Sequence, residues 1–510
     1  MKARGSHRRV RPARLRDARA GWLGLCLGLA CSAGLAQQAR GLAITPTFSS
    51  SLTYTETGRG APDLPRTDLV TELSPGLQIT SRSGRVRGTL SYTLDAISHS
   101  SSMAASQLQN ALNANFTAEA VPNWAYVDAS ATISQSSLSA YGQQSADNTQ
   151  VNANRVEVGT VSISPYLKGA FGPYAVYEAR LNADATNTRN SILGDSSSSG
   201  GSFSLSSPGR TLLGWGLVGT QQHASFRAGG STDNTRLTAS LNATPQPELT
   251  LTLRGGTEQT NVLTGETQRY GNWGAQAHWT PNERTVFDIG TDRRYYGQSY
   301  NVNVSWRTAQ SSLRVSSVRD ASTSSTPNGV GQPVTLYQQL YAALASAYPD
   351  PTARDQAVLL LLQQQGLDPN QIVPGGAITS AVTLQHREDI VFTYTGRRLV
   401  FTAQGFGSSS SQLYLSDTQS VAAAVRQLGY VASLSYRLTP TTSAALTGTQ
   451  NKTLATSTQA GNGLKSLALS FSDQLGRRTT LGLSATYSSF TGPTNPYRQA
   501  SISANLGLRF

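Results

Sequence analysis

The residues able to do chemistry are few and scattered. His99, His223, His278 and His386 stand singly, with no H-x-x-H or H-E-x-x-H spacing. A zinc site needs three or four donors at short, fixed intervals, so no metal and no cofactor is expected. There is no G-x-S-x-G, no phosphate-binding loop and no dinucleotide-binding glycine motif in a strand–helix setting. Serine is abundant, and some outer-membrane barrels hydrolyse lipids with a Ser–His pair on the outer wall. Sequence alone attaches no serine to any of these histidines. The densest charge cluster, His386-Arg387-Glu388-Asp389-Ile390, reads as a solvated strand end or a lumen ion-pair group. No catalytic residue is assigned, and the chain is not expected to be an enzyme.

The arginines are more informative. Arg85, Arg87, Arg180, Arg254, Arg307, Arg314 and Arg437 occupy the polar positions of alternating segments, as do the acids Asp95, Asp128, Glu178 and Asp288. If those positions line a lumen, basic groups in excess would focus potential onto anionic solutes. The competing expectation is that charges of both signs pair across the lumen and stiffen its wall.

What must position these side chains is a set of strands. Successive side chains of a strand point to opposite faces. At the end of the chain Phe510, Leu508, Leu506, Ala504 and Ile502 alternate with Arg509, Gly507, Asn505, Ser503 and Ser501. The same alternation runs through RVRGTLSYTLDA from Arg85, YEARLNA from Tyr177, LTLTLRG from Leu249 and VNVSWR from Val302. The polar faces carry arginines and acids, which would make a poor dry core for a soluble sandwich. A lipid-spanning sheet has to close on itself, because a bilayer leaves no partner for an open edge.

Composition agrees. Hydrophobic residues make up 38% of the chain and charged residues 14%, too little of either for a compact soluble enzyme or a helical membrane protein. After the first segment no apolar run exceeds Ala357–Leu362, far short of the roughly 20 residues of a spanning helix. Short connections near 121–123, 172–173, 244–248, 281–284 and 438–441 alternate with long polar ones at 140–155, 188–210, 408–420 and 451–463. This is the turn-and-loop asymmetry of outer-membrane barrels. The fold expected is therefore all-β: a closed antiparallel transmembrane barrel of about 18–22 strands in the bacterial outer membrane, with the strands near 211–242 hardest to place.

Two segments depart from the pattern. Residues 1–36 read as a signal peptide: Lys2 and seven arginines, then GWLGLCLGLACSAGLA, with the cut after Ala36. Its removal lowers the net charge from +13 to +6 and takes away both cysteines, Cys26 and Cys31. The basic balance then gives no reason to expect nucleic acid. The mature span 37–510 is interrupted at 321–380. There TLYQQLYAALASAY has helical spacing, Asp350-Pro351 has the form of an N-cap followed by Pro at the first helical position, and Gly366 suits a helix end. A helical hairpin, acting as lid or plug or as a passive cap, is expected at the extracellular end.

Several stretches are similar to a known family. DLVTELSPGLQI (68–79) resembles its early strand. HWTPNERTVFDIGTDRRYYGQSYNVNVSWR (278–307) resembles its central segment, with Trp279, Pro281, Arg284 and Thr285 at a turn and Arg294, Tyr296 and Gly297 beyond it. The insertion followed by VTLQHREDIVFTYTGRRLVFT (382–402) completes the order. The chain thus resembles the PEP-CTERM system-associated outer-membrane proteins, found beside exosortase and exopolysaccharide genes. The resemblance implies an outer-membrane barrel associated with extracellular polysaccharide and exosortase-sorted proteins; it implies no reaction.

The function expected is a passive, porin-like channel or conduit for export or surface assembly of polysaccharide. The alternatives are a non-conducting anchor or scaffold that binds polysaccharide or sorted surface proteins and, lower in order, an outer-membrane hydrolase. The partners expected are outer-membrane lipid, the barrel-insertion machinery (reading Phe510, Leu508 and Leu506 as its signal), anionic exopolysaccharide and other polysaccharide-export proteins.

Overall fold

The computed structural model describes residues 41–58, 64–191, 193–209, 212–323, 334–335, 372–373, 378–413 and 424–510. The segment read as a signal peptide lies outside them, as do 336–371, which hold nearly all of the expected helical hairpin. No described residue is helical.

A single 22-stranded antiparallel sheet accounts for most of the described residues. It starts at Leu42–Thr57 and ends at Tyr497–Arg509. Each strand pairs with the next in sequence, and the last returns to the first with Thr47 opposite Arg509 and Thr57 opposite Gln499. The barrel is closed, so no strand edge faces lipid. No described helix is long and apolar enough to cross a membrane; the chain crosses with strands.

The alternation read in the sequence has its physical cause here. Leu237, Leu241, Leu251, Leu253, Leu467, Leu469 and Ile502 are all exposed, because they form the wall that lipid covers. Trp124, Phe171, Tyr174, Trp215, Trp279 and Trp306 are also exposed and lie at the short-turn ends of their strands, the girdle by which aromatic rings anchor a barrel at the membrane interface. An apolar belt edged by such a girdle on a closed sheet places this protein in the bacterial outer membrane. Leu42 and Arg509 lie at the short-turn end, the periplasmic one.

Turns follow local chemistry. Asn123 at φ 60° and Gly172 at φ 55° supply left-handed residues in two of the short turns. The stretch 188–210, read as one long loop, instead contains the strand Ser196–Ser206. Its SSSSGGSFSLS sequence has weak strand propensity, and it is held by ladders to Ala175–Thr188 and Leu213–Phe226 on both sides. The hard-to-place region resolves into Leu213–Phe226 and Ser231–Gln246. The strands Ser311–Ser322 and Thr383–Thr395 are direct neighbours. The insertion therefore starts and ends at the extracellular rim without breaking the barrel, and within it Val334–Thr335 pairs with Ile372–Val373.

Candidate functional site: the lumen and its inward loop

The register fixes which side chains share the lumen. Arg180 stands opposite Tyr166, and Tyr166 opposite Tyr126. The two tyrosine rings stack with centroids 5.1 Å apart. The Arg180 guanidinium lies 4.0 Å above Tyr166, and the Lys168 Nζ lies 4.4 Å above Tyr126. Arg180 also donates to Asp128 at 2.7 Å and to Glu178 at 3.1 Å. The result, at the periplasmic end of the lumen, is an aromatic platform with cations on its faces and acids at its margin.

The other arginines divide by height. Arg254 donates to Asp292 at 2.5 and 2.7 Å and to Gln276 at 3.2 Å. Arg314 donates to Asn303 at 3.3 Å. Arg87 is exposed opposite Thr117. Arg85 lies in the Gly84–Arg85 turn, while Arg307 closes its strand with its guanidinium on the carbonyl of Glu283. Arg437 ends its strand beside Arg398. Of the acids, Asp128 and Glu178 meet Arg180, and Asp288 accepts from Gln276 at 2.8 Å. Arg180 and Arg254 are thus ion-paired across strands, so wall-stiffening accounts for them at least as well as anion attraction does.

Sequence reasoning missed the strongest charge group. Glu258 is fully buried and accepts from Arg294 at 2.5 and 3.2 Å and from Asn234 at 2.8 Å. Arg294 reaches Asp320 at 3.2 Å, and Tyr296 also donates to Asp320. Burial, with the Asp320 charge beside it, pushes the Tyr296 phenol up to about 12. Above this group Ala224, Phe226, Val262, Tyr295 and Val382 form an apolar knot. The only signal in the sequence was alternation: Glu258 shares the face of Arg254.

Sequence reasoning also missed where the 138–154 loop goes. It folds into the extracellular mouth. Ala140, Gln143, Thr149 and Gln150 are buried. Asn462 donates to the carbonyls of Ala140 and Gly142 at 2.9 and 3.1 Å, Thr453 to Ala140 at 3.0 Å and Tyr497 to Gln144 at 3.0 Å. A second knot of Leu64, Leu464, Phe490 and Tyr497 packs against Ala146. The loop is held inside the mouth by hydrogen bonds and small apolar contacts.

The 386–390 cluster splits across the wall. Arg387 and Asp389 face the lumen as a bidentate pair at 2.6 Å. His386 and Glu388 face outward, on the side of Ile390 and its register partner Val315, both exposed. The expectation of a lumen ion pair therefore holds for half of the cluster. Among the described residues no three His, Cys, Asp or Glu side chains converge as metal ligands would.

The architecture and lumen define a large outer-membrane β-barrel. No family model and no curated protein matches the chain. Among solved structures it is similar to the FrpB iron transporter of Neisseria meningitidis, at 12% identity over 92% of this chain and 83% of that one, with a TM-score of 0.48. The siderophore receptor PirA of Pseudomonas aeruginosa matches at 11% identity over 91% and 80%, TM-score 0.43. OccK5 (OpdH) of the same organism matches at 10% over 92% and 98%, TM-score 0.35. Likeness at this level says nothing of what passes or binds here.

Proposed function

We propose that the protein is a passive, self-closing conduit for export or surface assembly of exopolysaccharide, working within the exosortase and PEP-CTERM system whose outer-membrane proteins its sequence resembles. The observation that carries this reading is the Tyr126–Tyr166 platform in a wet lumen. The ring faces are occupied by the stack and its cations, so a sugar would meet the ring edges and phenol hydroxyls, which offer apolar and hydrogen-bonding contacts side by side. Lys168 and Arg180 beside the rings would meet the carboxylates of an acidic polymer.

The test is single-channel recording of the full-length protein in planar bilayers, with and without residues 335–366, with acidic and neutral oligosaccharides added on the periplasmic side. A gated, anion-preferring pore that acidic oligosaccharide blocks supports the conduit. A barrel silent in both forms overturns it.

The second reading is a non-conducting anchor that organises polymer or sorted surface proteins through its loops. The inward fold of the 138–154 loop favours it, and a silent barrel that retains polymer would support it.

A further inference from the structure

On the outer wall, three neighbouring strands bring together side chains that the sequence keeps apart. In the pairing register Ser199 stands opposite His223, and His223 stands opposite Asp233. All three share the outward face of Leu217, Leu237 and Leu241, and all three are exposed. The Asp233 carboxylate lies 2.8 Å from His223 Nδ1, which fixes the proton on Nδ1 and leaves Nε2 as the basic nitrogen. Directly opposite residues have Cβ atoms about 4.5–5.5 Å apart, so the Ser199 hydroxyl lies beside the imidazole and adjustment of both side chains brings Oγ to Nε2. That bond is not made in the free protein, where catalytic hydrogen bonds are often long.

His386, the other outward histidine with acid and hydroxyl neighbours, lacks this order. Tyr300, Glu388 and Ser317 all meet the same nitrogen, Nε2, at 2.9, 3.3 and 3.5 Å.

Height and shape add an independent argument. On Leu213–Phe226 the outward residues run Leu213, Trp215, Leu217, Gly219, then Gln221 and His223. On the next strand Leu241, Ala239 and Leu237 give way to Thr235 and Asp233. Trp215 marks the periplasmic girdle, and eight residues of tilted strand above it rise about 20 Å, close to the upper edge of an apolar band about 25 Å tall. That is the level of the ester linkages in outer-leaflet lipid. A groove of about 670 Å³ borders the site, lined by Ile163, Leu181, Ser199, Gly201, Gln221 and His223. Its floor is glycine: a Cβ on Gly201 would lie 3.3 Å from Leu181. The groove could take an acyl chain whose ester lies at Ser199.

We propose that Ser199, His223 and Asp233 form a hydrolytic site on the outer wall that cleaves a fatty-acyl ester of an outer-leaflet lipid. Ser199 Oγ attacks the ester carbonyl carbon as its proton passes to His223 Nε2. Asp233 holds the ring and stabilises the imidazolium. The side-chain amide of Gln221, on the same face one step below His223, donates to the oxyanion. The intermediate collapses, the C–O bond breaks, and His223 returns the proton to the departing alcohol. Water, deprotonated by His223, then releases the acid and restores Ser199. Ester and water become acid and alcohol, with no other reactant.

The experiment uses the full-length protein refolded in detergent micelles, with an alkyl fluorophosphonate as active-serine probe. Free fatty acid is then measured from vesicles of phosphatidylethanolamine alone and of phosphatidylethanolamine with lipopolysaccharide. Heat-dependent gel mobility verifies that each variant is a folded barrel. The expected result is labelling of Ser199, fatty-acid release that S199A and H223A abolish, and a loss of about 10³–10⁴ in turnover for D233N with its pH profile displaced. Release from the first vesicle names a glycerophospholipid; release only from the second names the acylated saccharide lipid. A folded barrel whose Ser199 is not labelled, or whose release equals that of S199A in both vesicles, overturns the proposal.

Discussion

The side-chain amide of Asn462 donates to the carbonyl of Ala140 at 2.9 Å, joining positions 322 residues apart. With Thr453 and Tyr497 it pins the inward 138–154 loop to strands that are not its sequence neighbours. A loop held by these four neutral hydrogen bonds, each worth about 0.5–1.5 kcal/mol net, can be released without unfolding the wall.

Loosening that clamp should open the mouth. The double variant N462A/T453A is expected to raise single-channel conductance and shorten closed times. Conductance indistinguishable from wild type would remove the loop from gating.

The insertion gives a separate prediction. The inserted segment joins the adjacent strands Ser311–Ser322 and Thr383–Thr395 at their extracellular ends, so deleting 335–366 should raise conductance while the folded-barrel gel shift stays intact. Unchanged closure would make the insertion a passive cap.

The tyrosine platform should matter to sugar and little to ions. Y126A/Y166A is expected to weaken oligosaccharide block at least tenfold, a loss of about 1.4 kcal/mol, with open-channel conductance changed far less. Equal block in both proteins would show that sugar binds elsewhere.

Glu258 is wholly buried against Arg294. Cutting the guanidinium away in R294M leaves an unpaired buried carboxylate and should cost about 3–5 kcal/mol in urea unfolding from lipid vesicles. Adding E258Q to the same chain should recover part of that loss. No recovery would mean that Arg294 stabilises through packing alone.

A charge on the belt tests the assignment of its face. Leu253, between the levels of Trp279 and Trp273, is exposed to lipid, and L253R is expected to destabilise the barrel by about 2–4 kcal/mol. Arg254, one residue on, already sits at a polar, lumen-facing position.

By itself the sequence determined the barrel. Alternation is a one-residue property: a side chain faces lipid or water, and Leu251, Leu253, Arg254 and Phe510 reveal which without knowledge of any partner strand. It did not show Ser196–Ser206 as a strand, because serine and glycine carry no apolar signal and that segment is held by its neighbours. Register and long-range closure belonged to the tertiary structure. Whether Arg180 meets Asp128, whether the 138–154 loop turns inward to Asn462, and whether Ser199, His223 and Asp233 share a row depend on how strands slide past one another. A slip of one residue would turn every side chain of a strand to the other face, and only closure of all 22 strands fixes that slip at each pair.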